Sequence, residues 1–264
     1  MTVHEPDTTT AQIQTRGQLA ALTSRGLSGM VRNGEIIFAL ISPVFLTVCF
    51  YLPLRSIMDQ TPGMDYAEFL MPIIMLQSVG FMASSAAMRS SLDGTKGIST
   101  RLRALPIPTS LPVIARLATN TALLAISLAC ATIACLVIGW RPHGGPVDTV
   151  GLYLVAVVVG MLMALIADAI GLLANSPEAT SQALTLPILI LGMLSTGFVP
   201  ESQFPSWIAP FVRNQPISQF TNSMRALNEG NVTASVLMPT VWWCIGLAVA
   251  AVAMMYLGVR KVTR

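Results

Sequence analysis

Charge is what this chain has least of. Only 10% of its 264 residues are Asp, Glu, Lys or Arg, where a soluble domain carries about 25%. Aromatic residues make up 6% and hydrophobic residues 53%, with a mean hydropathy of +0.68. A chain this poor in charge is an integral membrane protein. The net charge is only +3, so no nucleic-acid partner is implied. Lysine is scarce too. Lys96 follows Thr95 and Lys261 follows Arg260, and neither stands in the Gly-Lys-Ser/Thr run that a phosphate-cradling loop needs. Nucleotide chemistry on this chain is therefore not expected. The two histidines, His4 and His143, are far apart and have no Cys or second His beside them, so no metal site is expected. Cys49, Cys130, Cys135 and Cys244 sit inside apolar runs, where a free thiol behaves as a small hydrophobe. No Ser/His/Asp, Cys/His or paired-carboxylate arrangement can be assembled, and no enzyme is expected.

Long stretches without charge are what is there. Each crossing of the hydrocarbon needs about 20 residues. The windows Ile36–Leu54, Phe69–Met88, Leu117–Trp140 and Thr149–Ala167 predict four spans. A fifth is expected between Glu178 and Glu201, and a sixth within Val236–Val259. Pro187, Gly192 and Gly197 interrupt the fifth, which leaves open a broken or re-entrant element. The expected fold is all-α, with six transmembrane helices, an N-terminal inner amphipathic helix and a short outer helical hairpin before the last span. Residues 1–34 form the first unit, with no apolar core of signal-peptide type. There Leu19, Leu22, Leu27, Met30 and Val31 make a patchy stripe among Arg16, Arg25 and Arg32. Residues 35–264 form the membrane unit. With the N-terminus inside, eleven Lys and Arg fall in inner segments and four (Arg55, Arg141, Arg213, Arg225) in outer ones. That bias sets the orientation, with both termini cytoplasmic.

Between the fifth and sixth windows, residues 198–230 are too polar to span and too apolar for a solvent loop. Pro200, Pro205, Pro210 and Pro216 forbid one continuous helix, while Pro205 and Pro216 suit the first turn of short ones. Trp207, Ile208, Phe211 and Val212 then share one helical face. Ile217, Phe220, Met224 and Leu227 share another, and Gly230 can end that helix. A one-sided hairpin carrying a Trp suits the membrane–water boundary; packing on the protein's own rim is the alternative. The candidate cap residues are Pro200, Pro205, Trp207, Phe211, Pro216 and Arg225. Arg225 can pair with Glu229 one turn on, or meet an anionic headgroup or substrate.

On the inner side, residues 89–116 form the largest and most basic loop. Ile98, Leu102 and Leu105 recur at helical spacing beside Arg101 and Arg103, and Pro106 and Pro108 end the run. Such a ridge can dock into a partner's groove or lie against anionic headgroups. Asp168 is the one carboxylate near a span interior. Counted from Thr149 it lies roughly 28 Å along the helix, close to the inner boundary, where it is expected to reach water.

The runs Ser195-Thr196-Gly197-Phe198-Val199-Pro200, Phe204-Pro205-Ser206-Trp207-Ile208, Asn214-Gln215-Pro216-Ile217 and Met224-Arg225-Ala226-Leu227 resemble the signature of type-2 ABC-exporter permeases. Within them, they look most like the subgroup of daunorubicin-resistance and mycobacterial lipid exporters. The resemblance implies the permease half of an ATP-driven exporter in a bacterial plasma membrane. ATP and Mg would be bound by a separate ATPase subunit, and a second permease copy or paralogue would complete the pair. It further implies an elbow helix before the first span. The run from Gly97 through Ile98, Arg101, Leu102 and Leu105 to Pro106 would then be a coupling helix. Asp93 stands where the family often has Glu, so no acidic coupling role is carried over. The few charges in the spans suit a hydrophobic or amphiphilic substrate such as a drug, lipid or glycolipid. Polysaccharide export would call for more aromatic surface. An ion-driven secondary transporter would call for more midplane charge and an internal repeat.

Overall fold

The computed structural model describes residues 8–58, 65–98, 101, 104, 108, 111–174 and 176–263. Among these the chain is helical, with no strand. The helices are α1 (Thr8–Arg32), α2 (Glu35–Met58), α3 (Tyr66–Thr95), α4 (Leu111–Val137), α5 (Pro146–Leu173), α6 (Pro177–Met193), the short α7 (Ala209–Asn214), α8 (Pro216–Glu229) and α9 (Ala234–Thr263). A single 3-10 turn at Glu201–Gln203 precedes α7.

Five helices (α2, α3, α4, α5 and α9) are long and apolar enough to cross a bilayer. α3 is the axis of the bundle: 83% of its apolar window is buried, against 11% for α9. Its heaviest packing is on α5, then on α6. α9 turns Trp242, Val249, Val252 and Tyr256 outward, as a lipid-facing helix should when its solvent is hydrocarbon.

The fifth expected crossing takes a mixed form. α6 has 17 residues, about 25 Å of helix, less than a full span. The chain nevertheless runs antiparallel to α3 along most of its length. Thr185 Oγ1 donates to Ser84 Oγ at 2.9 Å, Ile188 lies on Gly80 and Gly192 on Gln77. Beyond the helix, Gly197 lies on Ile73, and Tyr66 Oη donates to the Phe198 carbonyl at 3.2 Å. The non-helical stretch 194–200 thus completes the crossing. The segment goes from one end of the bundle to the other and does not turn back.

These contacts define two ends. At one lie the start of α3, the α4–α5 connection, the 194–200 stretch and α7–α8. At the other lie the end of α3, the start of α4 and the end of α5. α1 is at this second end, with Gly26 against Thr119, and α9 finishes there, with Gly258 against Leu172. Both described termini therefore share one end of the bundle. The expected leucine stripe of α1 is only partly used. Met30 is buried, while Leu27 and Val31 are exposed, because α1 seats on α4 through Gly26 and not along a leucine face.

Candidate functional site

At the terminal end, Asp168 departs from expectation. It is only 5% exposed, held among α1, the end of α3 and the start of α4, and it borders a cavity at this end. Its Oδ2 accepts from Asn120 Nδ2 at 3.0 Å. Arg89 Nη2 donates to Asn120 Oδ1 at 2.5 Å, and the same guanidinium is ion-paired with Glu35. Ser90 Oγ donates to the Asp168 carbonyl at 2.8 Å and accepts from Arg116 Nη1 at 2.9 Å. Arg116 Nη2 then meets Asp93 Oδ2 at 3.1 Å, and Arg25 of α1 approaches the other Asp93 oxygen at 3.8 Å. One network joins five helices. A buried charge is tolerated only when paired and bonded in this way.

The segment expected to couple follows directly along the chain. Gly97 adopts φ +65°, a left-handed turn that favours glycine, and its N–H donates to the Gly94 carbonyl at 3.1 Å. Arg101 N–H donates back to the Gly97 carbonyl at 3.1 Å, which begins a helical turn. Ile98 is half-buried and Arg101 exposed. Leu102, Leu105 and Pro106 lie outside the described residues.

At the other end the cap is built as its prolines dictate. Pro216 opens α8, and Gly230, at φ +72°, closes it. The stretch after Pro205 is shorter than expected, two turns leading into the six residues of α7. Trp207 is 80% exposed and Phe211 51%, while Val212 is buried. Pro200 caps the 3-10 turn and is half-buried, as is Pro216; Pro205 is exposed. Glu201 and Arg213 pair at 3.5 Å across the cap.

Arg225 does not form the expected ion pair with Glu229 among the described residues; its guanidinium turns into the protein. Its Nη2 donates to the Phe69 and Gly197 carbonyls at 2.9 Å each, and its Nε donates to Phe69 O at 3.1 Å. Its guanidinium also lies 3.5 Å from the Phe69 ring centroid. Burial pushes the pKa of this group down to about 9, against the opposing pull of Glu229 and Tyr66, so it stays cationic at neutral pH. Arg225 thus ties the non-helical stretch beyond α6, at Gly197, to the first turn of α3, at Phe69; at the end of α6 itself the last carbonyls have no intrahelical donor. Gln215 supplies one, donating from Nε2 to the Leu191 and Leu194 carbonyls at 2.9 and 2.6 Å. Ser218 Oγ accepts from Thr196 N–H at 3.0 Å.

Between the two ends, α3, α5, α6, α8 and α9 border a partly open apolar cavity of about 300 Å³. Val159, Met163, Ile188, Leu191, Phe220 and Leu247 are among its walls. Gln77 is its polar exception, 2% exposed, with a side-chain nitrogen that has no hydrogen-bond partner. Sequence reasoning missed Gln77, Asn120 and Gln215. A search for charge passes over neutral amides, although an amide in the middle of an otherwise apolar window such as Phe69–Met88 is itself a signal.

Five helices able to cross a bilayer, a further crossing completed by non-helical chain and a capped end make a multi-pass membrane bundle. The chain belongs to the ABC-2 type transporter family, whose profile matches residues 17–227. It is 32% identical over 255 residues to the doxorubicin resistance ABC transporter permease protein DrrB of Mycobacterium tuberculosis, covering 90% of this chain and 87% of that one. It is 28% identical over 210 residues to the daunorubicin resistance ABC transporter permease protein DrrB1 of Streptomyces coeruleorubidus, covering 80% and 71%. The probable doxorubicin resistance permease DrrC of Mycobacterium tuberculosis matches at 23% over 240 residues. The chain is thus an ABC exporter permease, with a role in transport.

Proposed function

We propose that this permease moves a hydrophobic or amphiphilic compound outward across a bacterial plasma membrane, through the cavity beside Gln77. The cavity carries the reading. It is apolar, lies midway between the two ends, and holds one unpaired amide that a ligand's polar group would satisfy. Ligand pockets combine apolar walls with a few placed polar groups, and this one has that make-up. Phe220 is the one aromatic wall residue, which supports an amphiphile over a polysaccharide. An ion-driven carrier is disfavoured by the pairing of Asp168 with Asn120, since its carboxylate is already engaged.

ATP and Mg would be held by a separate ATPase subunit seated on Gly97–Pro106, and a second permease, identical or related, would complete the exporter. The exposure of Arg101 and Ala104 supports a docking role for that segment. The Lys and Arg bias supports a cytoplasmic position for the shared end of the termini.

The test is export of doxorubicin by vesicles holding the permease and its ATPase. Val159→Phe and Leu247→Trp, which narrow the cavity, should each cut export about tenfold with ATP hydrolysis intact. Unchanged export in both would place the route elsewhere. Leu102→Asp with Leu105→Asp should leave the permease inserted while uncoupling hydrolysis from export, and normal export in that variant would refute the docking role.

A further inference from the structure

A second cavity, of about 210 Å³, opens at the terminal end between α1, the end of α3 and the start of α4. Arg25, Arg32, Arg89, Lys96 and Arg116 line it, against Asp93 and Asp168. With Glu35 counted against its partner Arg89, an excess of two positive charges remains. The cations are not equivalent. Arg89 and Arg116 are spent on Glu35, Asn120, Ser90 and Asp93. Arg25 only approaches Asp93 at 3.8 Å, with its side chain half-exposed. Arg32 and Lys96 make no ion pair or side-chain hydrogen bond among the described residues. Arg32 ends α1, and Lys96 follows α3 as its C-cap.

We propose that this cavity binds the phosphate of an anionic membrane lipid, with Arg32, Lys96 and Arg25 as its ligands. Three features favour a lipid over a free anion. The cavity lies where α1 meets the ends of the spans, the level at which headgroups sit when the crossings are in the bilayer. Val31 next to Arg32, and Ile114 beside the lining residues Pro112 and Ala115, are 66% and 47% exposed, and they offer apolar surface to the acyl chains. Basic pockets between span ends suit anionic headgroups, each nearby Lys or Arg contributing about 1 kcal/mol. A bound phosphate would bridge α1 to α3 across a seam where Arg25 approaches Asp93 at 3.8 Å. The site is independent of the route taken by the exported compound.

Native mass spectrometry of the purified permease in detergent tests this, with phosphatidylglycerol, phosphatidylcholine or inorganic phosphate added. Phosphatidylglycerol should be retained and phosphatidylcholine lost. Arg32→Gln with Lys96→Gln should weaken retention about thirtyfold, as expected for two removed charges, whereas Arg141→Gln with Arg213→Gln at the far end should not. Equal retention of the two lipids, or unaltered phosphatidylglycerol binding in the Arg32/Lys96 variant, would overturn the proposal. So would full displacement by millimolar inorganic phosphate, which would mark a site for the free anion. A second measurement needs no variant: acetylation of Lys96 in the unmodified protein should slow severalfold with phosphatidylglycerol and not with phosphatidylcholine. No protection would refute it.

Discussion

The two ends of the bundle solve one problem in opposite ways. At the terminal end, carboxylates answer guanidinium groups: Glu35, Asp93 and Asp168 face Arg25, Arg89 and Arg116 through Asn120 and Ser90. At the cap end, a single buried cation answers no carboxylate and satisfies backbone carbonyls. The first end links helices that are each internally complete. The second ties the non-helical stretch beyond α6 to the first turn of α3. Charge pairing is thus used here to join helix to helix, and charge–dipole bonding to hold a stretch that has no helix of its own.

That contrast is most exposed at Arg225. Arg225→Ala should destabilise the permease by about 3–5 kcal/mol, because two carbonyls lose a charge-assisted donor and stay buried. Thermal unfolding in detergent measures it. Arg225→Lys should recover less than half, since an ammonium lacks the planar fork that reaches both carbonyls. Full recovery by Lys would reduce the role to charge alone. The terminal end should behave differently. Arg89→Leu should cost about 3 kcal/mol by leaving Glu35 unpaired. Arg89→Leu combined with Glu35→Leu should cost about 1–2 kcal/mol less than the sum of the two single changes. Strict additivity would show that the pair is not coupled.

A smaller effect is expected at Gly197. A Cβ there would meet Ile73 Cδ1 at 2.7 Å, so Gly197→Ala should cost about 1–3 kcal/mol by overpacking, and Ile73→Val should relieve part of it. The smallest change in stability belongs to Trp207→Ala, below about 0.5 kcal/mol, because the ring is 80% exposed and packs on little of its own protein. A large loss of melting temperature there would mean that the cap leans on a surface not counted above.

Much of the fold could be read from local rules. Charge-free windows located the spans, since a span without charge is a requirement of the hydrocarbon and needs no partner. The cap helix from Pro216 to Gly230 was legible for a similar reason: its limits are properties of single residues. What escaped depended on contacts far along the chain. Arg225 and Glu229 have helical spacing, but the carbonyls of Phe69 and Gly197 that Arg225 meets are 156 and 28 residues away, and nothing local announces them. Asp168 looked able to reach water because its depth was counted along one helix. Its cover comes from α1 and from Arg89 and Asn120 on two other helices. The fifth crossing was legible as interrupted, not as completed by a non-helical stretch of turns, since that required the groove along α3.

The 194–200 stretch also sets how this crossing can move. A helix resists stretching because its hydrogen bonds act in series with each residue's neighbours, so that lengthening it breaks several at once. Here the ties run sideways from Gln215, Ser218, Tyr66 and Arg225 to separate points on the non-helical stretch, and each can let go without the others. The fifth crossing therefore joins a rigid rod to a length of chain held at separate points. The expected consequence is that a displacement along α6 would reach the cap through ties that yield one at a time.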